Sequence, residues 1–326
     1  MLVLATLCVI LVVVYKQYQI NIDDWYDSST EGRQMEVRRD RSIPSFEELQ
    51  QTSRSEHVID DVITTDAWFP SDSYIIQEIL EYTKQEHVDL FAVKQYFHYI
   101  MTSITLECHS FKRFGNEGGG GYEICTDSPL IRPNSSCVVF SFGIRNDFSF
   151  DDAVSQRLGC TVHSFDPSMR VNDHARSERI FFHKIGLDGA SFLSHFNTKH
   201  WNMYRFSDIR RVLGYRKTID MVKMDIERSE WAVLVDILQN GEAVNHIRQL
   251  AIEVHSVRYK GDATVLSDYL YMLKVTLALE AAGFKKFLVH TRNNCCRRFG
   301  ILVTKDINVS SNLCCYEVFY VNTRFT

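Results

Sequence analysis

Three carboxylates follow a single apolar run in the sequence MVKMDIERSE, residues 221–230. The run has the composition of a buried strand, so Asp225, Glu227 and Glu230 come where a strand leaves its sheet. A carboxylate in such a position can accept the proton of an acceptor hydroxyl. We therefore take Asp225 and Glu227 as candidate bases, and Glu230, in the first turn of the next helix, as a partner of the helix dipole. Capping and solvation of the helix start is the alternative interpretation of all three.

A second pair of candidate groups, Glu253 and His255, closes the apolar run AIEVHS. Side chains two residues apart on a strand point to the same face, so both can reach one cleft. His255 is a candidate general base, although a histidine at a strand end is more often only hydrogen-bonded. A metal site from these two residues with Asp225 and Glu227 is conceivable. The close His or Cys spacing of most metal sites is missing, however, and we predict no metal.

A third pattern is that of an adenosine-binding site. Gly143 follows the apolar run CVVFSF, and Asp166 follows the run TVHSF, about 20 residues later as such sites require. A glycine lets the backbone approach a ligand, and the acid can bind ribose hydroxyls. The G-x-G-x-x-G run that a dinucleotide pyrophosphate needs is missing, which favours S-adenosylmethionine, a cofactor without phosphate. In the alternative interpretation Gly143 is a plain turn and Asp166 a helix cap.

Strands that alternate with helices must position these residues. The strands are predicted at residues 137–144, 161–168, 179–187, 218–225 and 247–256. Helical patterns lie between them, such as 229–241 and 149–159, where Ser149 and Asp152 indicate a capping box and Gly159 a C-terminal stop. This alternation predicts an α/β fold, a mostly parallel sheet with helices on both faces, and ligands at the carboxyl ends of its strands.

Composition divides the chain into four segments. Residues 1–15 are a signal-anchor or signal peptide, 16–65 a polar stem, 66–136 a helical extension with a glycine-rich loop, and 137–326 the main domain. The glycine-rich loop lacks the lysine and the Ser or Thr of a phosphate-binding loop.

Two further strands, FKKFLVHT and YEVFYVN, end the main domain. No long helical pattern separates them, which predicts an antiparallel hairpin.

The first of these segments indicates a membrane or export signal, because residues 2–14 are all apolar or small. A spanning helix needs about 20 apolar residues, so length favours a cleaved signal peptide. The following YKQYQIN offers no small residues for cleavage, which favours a short uncleaved signal-anchor. A buried core helix is the remaining alternative.

Cysteines and glycosylation signals indicate an oxidising compartment. Nine cysteines are present, eight of them beyond the apolar segment, and N-x-S sequons begin at Asn134 and Asn308. We therefore predict a membrane-anchored glycoprotein of the Golgi or endoplasmic reticulum lumen, or a secreted protein if the signal is cleaved. Cys108 with Cys125 would close the glycine-rich loop. One or two further disulfides would pin the final hairpin, among Cys295, Cys296, Cys314 and Cys315.

The overall charge argues against a nucleic-acid partner. The 326 residues are 45% hydrophobic and 24% charged, which is ordinary globular composition. The formal net charge is -5, with both signs mixed along the chain. No basic face is therefore offered to a phosphate backbone.

The combination of CVVFSFGIRNDFSFDDAVSQRLGCTVHSFDPS with KMDIERSE and CYEVFYVN resembles the methyltransferase-like protein 24 group, within the broader FkbM-type methyltransferase family. The resemblance covers about residues 108–322. It implies a Rossmann-like class I methyltransferase with an antiparallel last strand, S-adenosyl-L-methionine as cofactor, and a hydroxyl of a small molecule or glycan as acceptor.

The same resemblance implies roles for individual residues. Gly143 would lie under the cofactor and Asp166 would bind its ribose, with the adjacent Phe142 and Pro167, and with Asp225, completing the cofactor site. Four residues match the family signature K-x-D-x-E-G-x-E, namely Lys223, Asp225, Glu227 and Glu230. Arg228 stands where the broader family has glycine, so we expect a differently shaped turn at the acceptor site.

Three functions are compatible with the sequence. The first is an S-adenosylmethionine-dependent O-methyltransferase facing a secretory lumen. The second is a lumenal glycosyltransferase, in which Asp225-Ile226-Glu227 imitates an acidic metal-nucleotide motif. The third is a non-enzymatic binding protein on a methyltransferase fold, as the single glycine after the first strand and Arg228 would allow.

Overall fold

The computed structural model divides the chain into two units, Met1–Val88 and Asp89–Thr326. All described residues belong to the second unit, at 90–117, 119–132, 136–196, 199–241, 244–255, 266–292 and 315–326. The predicted signal segment and polar stem lie outside the described residues, as do residues 66–89 of the predicted helical extension. None of the described helices has the length and apolar character needed to cross a membrane.

Five helices and thirteen strands are described in these residues. The helices are α1 Leu90–Thr102, α2 Ser149–Leu158, α3 Phe206–Val212, α4 Glu230–Gln239 and α5 Leu266–Ala281. The strands up to the middle of the chain are β1 Phe111–Phe114, β2 Tyr122–Cys125, β3 Val138–Phe142, β4 Thr161–Phe165, β5 His174–Ala175, β6 Ile180–His183 and β7 Gly186–Leu187. The remaining strands are β8 Phe192–Phe196, β9 Lys199–Tyr204, β10 Ile219–Met224, β11 Ile247–His255, β12 Phe284–Arg292 and β13 Cys315–Asn322.

Eight strands form the central sheet, in the order β12-β13-β11-β10-β3-β4-β6-β5. Five adjacent strands, β11, β10, β3, β4 and β6, are parallel to one another. Parallel neighbours require crossover connections over the faces of the sheet. Strand β13 is antiparallel to both β11 and β12. The predicted α/β class, the mostly parallel sheet and the antiparallel last strand are therefore confirmed.

Strand β3 lies at the centre of this sheet. All five of its residues are buried, as expected of a parallel strand covered on both faces. The ring of Phe140 contacts aromatic rings on β4 and α3, with centroids 5.5 Å from Phe165 and 6.0 Å from Phe206. The core therefore surrounds the strand that leads into the predicted cofactor turn.

Helix α2 begins and ends at the predicted residues, but its start is built differently. Gly159 ends the helix with a left-handed φ of 70°, as predicted. The capping box of Ser149 and Asp152 is wrong, because Phe148 is the N-cap residue and no side chain caps it. Instead Asp147 accepts the N–H of Ser149 at 2.9 Å. The Ser149 hydroxyl is used elsewhere and accepts the N–H of Asn116 at 3.1 Å.

A small second sheet, β7-β9-β8, was not predicted. The apolar run at 179–187, taken as one strand, is split between β6 in the main sheet and β7 in the small one. Gly186 permits this packing, because a Cβ there would lie 2.4 Å from Sδ of Met203 on β9. The short strands of this sheet carry too little periodicity to be recognised from the sequence.

The glycine-rich segment is the turn of an antiparallel hairpin formed by β1 and β2. A disulfide joins Cys108 to Cys125, as predicted. A second disulfide, not predicted, joins Cys137 to Cys160, the residues before β3 and β4. The disulfides predicted for the final hairpin stay predictions. Cys295, Cys296 and Cys314 lie outside the described residues, and the side chain of Cys315 is not described.

Candidate active site

Four sequence-predicted site residues meet at one edge of the central sheet. Strands β4, β3, β10 and β11 are adjacent and parallel, so their carboxyl ends lie side by side. Gly143, Asp166 and Asp225 directly follow three of these strands, and His255 ends the fourth. The chain proceeds from β3 to β4 on one side and later returns to β10 on the other side of β3. Ligands of open α/β sheets bind at such a switch point.

The turn after β3 requires a glycine. Gly143 has a φ of +73°, and a Cβ on it would lie 1.7 Å from the carbonyl oxygen of Asp225. The N–H of Gly143 donates to the Phe165 carbonyl oxygen at 2.9 Å. Two further residues of the turn, Arg145 and Asn146, also have positive φ values, of 43° and 64°. The turn therefore curls tightly across the ends of β4 and β10.

Lys223, a buried lysine of strand β10, supports this turn through two hydrogen bonds. Its Nζ donates to the carbonyl oxygens of Phe142 at 3.1 Å and of Gly143 at 3.2 Å. It also lies 5.0 Å from the ring centroid of Tyr122 on β2, a cation–π distance. The signature lysine is therefore a structural clamp between β10 and β3. A lysine within a strand that is buried throughout was the signal for this role.

Asp166 is 5% exposed, and the backbone around it fixes its carboxylate. Oδ2 accepts the N–H of Arg145 at 2.7 Å. Oδ1 accepts both the N–H and the hydroxyl of Ser168, at 2.8 Å and 2.6 Å. The carboxylate therefore links the two turns that follow β3 and β4.

Phe142 and Pro167, the candidate cofactor residues beside Gly143 and Asp166, both pack against other parts of the protein. The Phe142 side chain is buried and stacks on Phe165, with centroids 4.4 Å apart. The ring of Pro167 lies 3.0 Å from the position of a Cβ on Gly186, so it packs against β7. Their predicted cofactor contacts stay predictions.

Asp225 is partly buried, and the pKa of its carboxyl group is raised. Its carboxylate accepts no hydrogen bond within the described part of the chain. Burial raises its pKa to about 7, with a further upward contribution from Glu253, although Lys223 acts in the opposite direction. Asp225 therefore holds a proton far more readily than an ordinary aspartate does.

Glu230 does more than interact with the helix dipole. It is fully buried, and its carboxylate accepts the N–H groups of Ile226 at 2.9 Å and Arg228 at 2.7 Å. Its Oε1 also lies 3.1 Å from Nδ1 of His255. Glu230 therefore closes the turn after β10 and ties it to the end of β11. Sequence reasoning missed this contact, because it joins residues on two different elements.

His255 pairs with acids on both sides of its ring. Its Nε2 lies 3.6 Å from Oε1 of Glu253. Burial opposes the ring's charge, but the hydrogen bonds with Glu230 and Glu253 outweigh burial and raise its pKa to about 11. An imidazole that is protonated at neutral pH has no lone pair for a substrate proton, which disfavours the predicted general-base role of His255.

The remaining signature residues lie in the turn between β10 and α4. Glu227 is exposed and is not among the side chains that converge with Asp225. Glu227 and Arg228 have positive φ values of 55° and 92°. Arg228 thus adopts the left-handed conformation that favours glycine, at a cost in backbone strain.

The hairpin turn lies against the turn after β3, a placement that sequence reasoning also missed. Asn116 donates from Nδ2 to Asp147 Oδ2 at 3.1 Å. A Cβ on Gly120 would lie 2.2 Å from that same oxygen. The glycines therefore allow close backbone approach to the site instead of cradling a phosphate.

Comparison with known proteins identifies one family. A family model described as a methyltransferase domain matches residues 50–322. The chain is 29% identical over 206 residues to the human "Probable methyltransferase-like protein 24", covering 59% of this chain and 52% of that protein. The rat protein of the same name is 29% identical over 203 residues, covering 58% and 51%. The chain spans about half the length of these curated relatives. The resemblance to this group is confirmed.

Similar solved structures share little sequence with the chain. Aeropyrum pernix fibrillarin in complex with S-adenosyl-L-methionine is 10% identical, with a TM-score of 0.31 and coverage of 66% of this chain and 84% of that one. Haemonchus contortus phosphoethanolamine N-methyltransferase 2, also in complex with S-adenosyl-L-methionine, is 9% identical, with a TM-score of 0.33 and coverage of 74% and 59%. The strand order and register, not these scores, establish the fold.

Replacement of Gly143 by alanine is expected to disrupt the packing of β3 against β10. The added Cβ would clash with the Asp225 carbonyl oxygen at 1.7 Å, so the backbone must move. We expect the free energy of unfolding to fall by about 3 kcal/mol or more, measured by urea denaturation. Gly214→Ala is the matched control, because Gly214 has a φ of +70° but nothing within 4 Å of an added Cβ. It should cost only about 1–2 kcal/mol, and equal losses would contradict the close approach.

Replacement of Arg228 by glycine is expected to stabilise the protein. Glycine adopts a φ of 92° without steric cost. The free energy of unfolding should therefore rise by about 1 kcal/mol, and the midpoint of urea denaturation should move to a higher concentration. Arg216→Gly is the control, since Arg216 is exposed and has no positive φ. That variant should lose about 0.5–1 kcal/mol. A loss of stability in both variants would show that the Arg228 turn is not strained.

Proposed function

Because the chain belongs to the family of methyltransferase domains, we propose that it is an S-adenosylmethionine-dependent methyltransferase. Its acceptor in this proposal is a hydroxyl group of a sugar or other small molecule. The observation that carries the proposal is the meeting of the Gly143 turn, Asp166 and Asp225 at the carboxyl edge of the parallel sheet. This arrangement offers a tight backbone turn and a fixed acid for an adenosine, next to a second acid for an acceptor.

The hydrogen bonds of Asp166 are compatible with ribose binding. Its Oδ1 accepts twice from Ser168, whereas Oδ2 accepts once, from Arg145. A carboxylate oxygen has two acceptor positions, so Oδ2 can accept a ribose hydroxyl without losing an existing bond. The Arg145 N–H also holds the carboxylate in place, which lowers the entropic cost of binding.

Asp225 is suited to the acceptor side of the reaction. When bound, S-adenosylmethionine supplies a methyl group on a positively charged sulfur. The Asp225 carboxylate has no hydrogen-bond donor within the described part of the chain, so it can accept the hydrogen bond of an acceptor hydroxyl. It would take the hydroxyl proton as the new oxygen–carbon bond forms and the carbon–sulfur bond breaks.

Calorimetric titration of the full-length chain with S-adenosylmethionine and S-adenosylhomocysteine tests the cofactor. We expect saturable binding that Asp166→Asn weakens by about tenfold or more, because a hydrogen bond to a charged group contributes about 1.5–3 kcal/mol. Asp127→Asn is the matched control. Asp127 also accepts two backbone N–H groups, from His109 and Ser110, but it follows the β1–β2 hairpin.

The outcomes of this titration separate the competing functions. Absence of binding by a folded wild-type chain would contradict the methyltransferase proposal. A glycosyltransferase would instead bind a nucleotide sugar, and a non-enzymatic protein would bind neither ligand. Equal weakening by Asp166→Asn and Asp127→Asn would show that the loss is structural.

We further propose that the protein faces a secretory lumen, attached through its N-terminal apolar segment. Two disulfides within the described residues, Cys108–Cys125 and Cys137–Cys160, support this placement, because disulfides persist mainly in oxidising compartments. The two sequons at Asn134 and Asn308 agree with it.

Glycosylation in cells tests the lumenal placement. Lumenal exposure predicts that an endoglycosidase increases the electrophoretic mobility of the protein expressed in animal cells. Asn134→Gln and Asn308→Gln together should abolish that shift. A wild-type protein whose mobility the enzyme leaves unchanged would count against a lumenal location.

A further inference from the structure

Three side chains at the carboxyl edge of the sheet converge on one point. A carboxylate oxygen of Asp225, a carboxylate oxygen of Glu253 and a ring nitrogen of His255 all lie within 4.8 Å of one another. Nitrogen and oxygen ligands lie about 2.0–2.2 Å from a divalent transition ion. Two ligands on opposite sides of such an ion are therefore about 4–4.4 Å apart, and adjacent ones are closer. The observed limit of 4.8 Å is only slightly longer than this distance.

The environment of His255 is that of a metal ligand. Its Nδ1 is 3.1 Å from Oε1 of Glu230, and its Nε2 faces Oε1 of Glu253 at 3.6 Å. A metal-binding histidine usually holds a carboxylate or carbonyl with its second nitrogen, which fixes the ring. Glu230 is itself fixed by the N–H groups of Ile226 and Arg228. Glu230 therefore already provides the carboxylate that would orient His255 as a metal ligand.

Asp225 provides a second, independent observation. Its side chain is partly buried, yet its carboxylate accepts no hydrogen bond among the described residues. The carboxylate instead faces Glu253 and His255, where a cation would satisfy it.

We propose that Asp225, Glu253 and His255 bind one divalent cation beside the position of the methyl acceptor. Two carboxylates and one imidazole form a ligand set that Mn²⁺ and Zn²⁺ accept. Binding of the ion would release the His255 proton, which frees a ring nitrogen to ligate the ion. The two charges of the ion would then replace the single charge of the imidazolium among these acids.

Three protein ligands leave coordination positions open, and these can hold oxygens of an acceptor. A metal-bound hydroxyl loses its proton more readily than a free one. This use of the cation rests on the proposed function, whereas the binding of the cation does not.

Titration of the metal-free full-length chain with Mn²⁺, followed by loss of the electron paramagnetic resonance signal of the free ion, tests the site. We expect saturation at one ion per chain. Asp225→Asn and Glu253→Gln keep the side-chain shapes and should each weaken binding by about tenfold or more. Glu178→Gln is the control, because it removes an exposed carboxylate elsewhere on the protein, and should leave binding unchanged.

The proposal is overturned if a chain that is folded by circular dichroism shows no saturable binding. It is also overturned if neither site variant weakens binding, or if Glu178→Gln weakens it equally. S-adenosylmethionine binding is measured in a separate, metal-free titration. A chain that binds the cofactor but not Mn²⁺ loses only this inference, and one that binds Mn²⁺ but not the cofactor loses only the proposed function.

Discussion

The close approach of two strand ends is the constraint on which the candidate site depends. The Cα of Gly143, at the end of β3, lies so near the Asp225 carbonyl oxygen that no side chain fits between them. Lys223 clamps the same contact by donating to the carbonyl oxygens of Phe142 and Gly143. The cofactor turn and the acid of the acceptor site therefore share one backbone contact, and neither can move without the other.

A second set of contacts extends this unit to the next strand. Glu230 holds the turn after β10 through two backbone N–H groups and reaches His255 at the end of β11. His255 in turn faces Glu253, and both converge with Asp225. The acids are thus held close together against their mutual repulsion, with one imidazole among them. Such an arrangement favours the binding of positive charge, whether a proton, a metal ion or the sulfonium of a methyl donor.

Local patterns in the sequence predicted the sheet well and the site only in part. Alternating apolar runs located the strands that carry Gly143, Asp166 and Asp225, because period and composition depend on neighbouring residues. The capping box at Ser149 failed because Asn116, on a distant hairpin, uses the serine hydroxyl. The contact of Glu230 with His255 and the clamp of Lys223 on β3 likewise join separate elements. Residue spacing alone cannot show such contacts.

A crystal structure of the full-length chain with S-adenosylhomocysteine would test the central claim most directly. The arrangement of the sheet edge predicts the ligand across the ends of β3 and β4, with a ribose hydroxyl within hydrogen-bonding distance of Asp166 Oδ2. The sulfur should face Asp225. A ligand bound elsewhere on the protein, or no ligand at a saturating concentration, would contradict the assignment of this edge as the cofactor site.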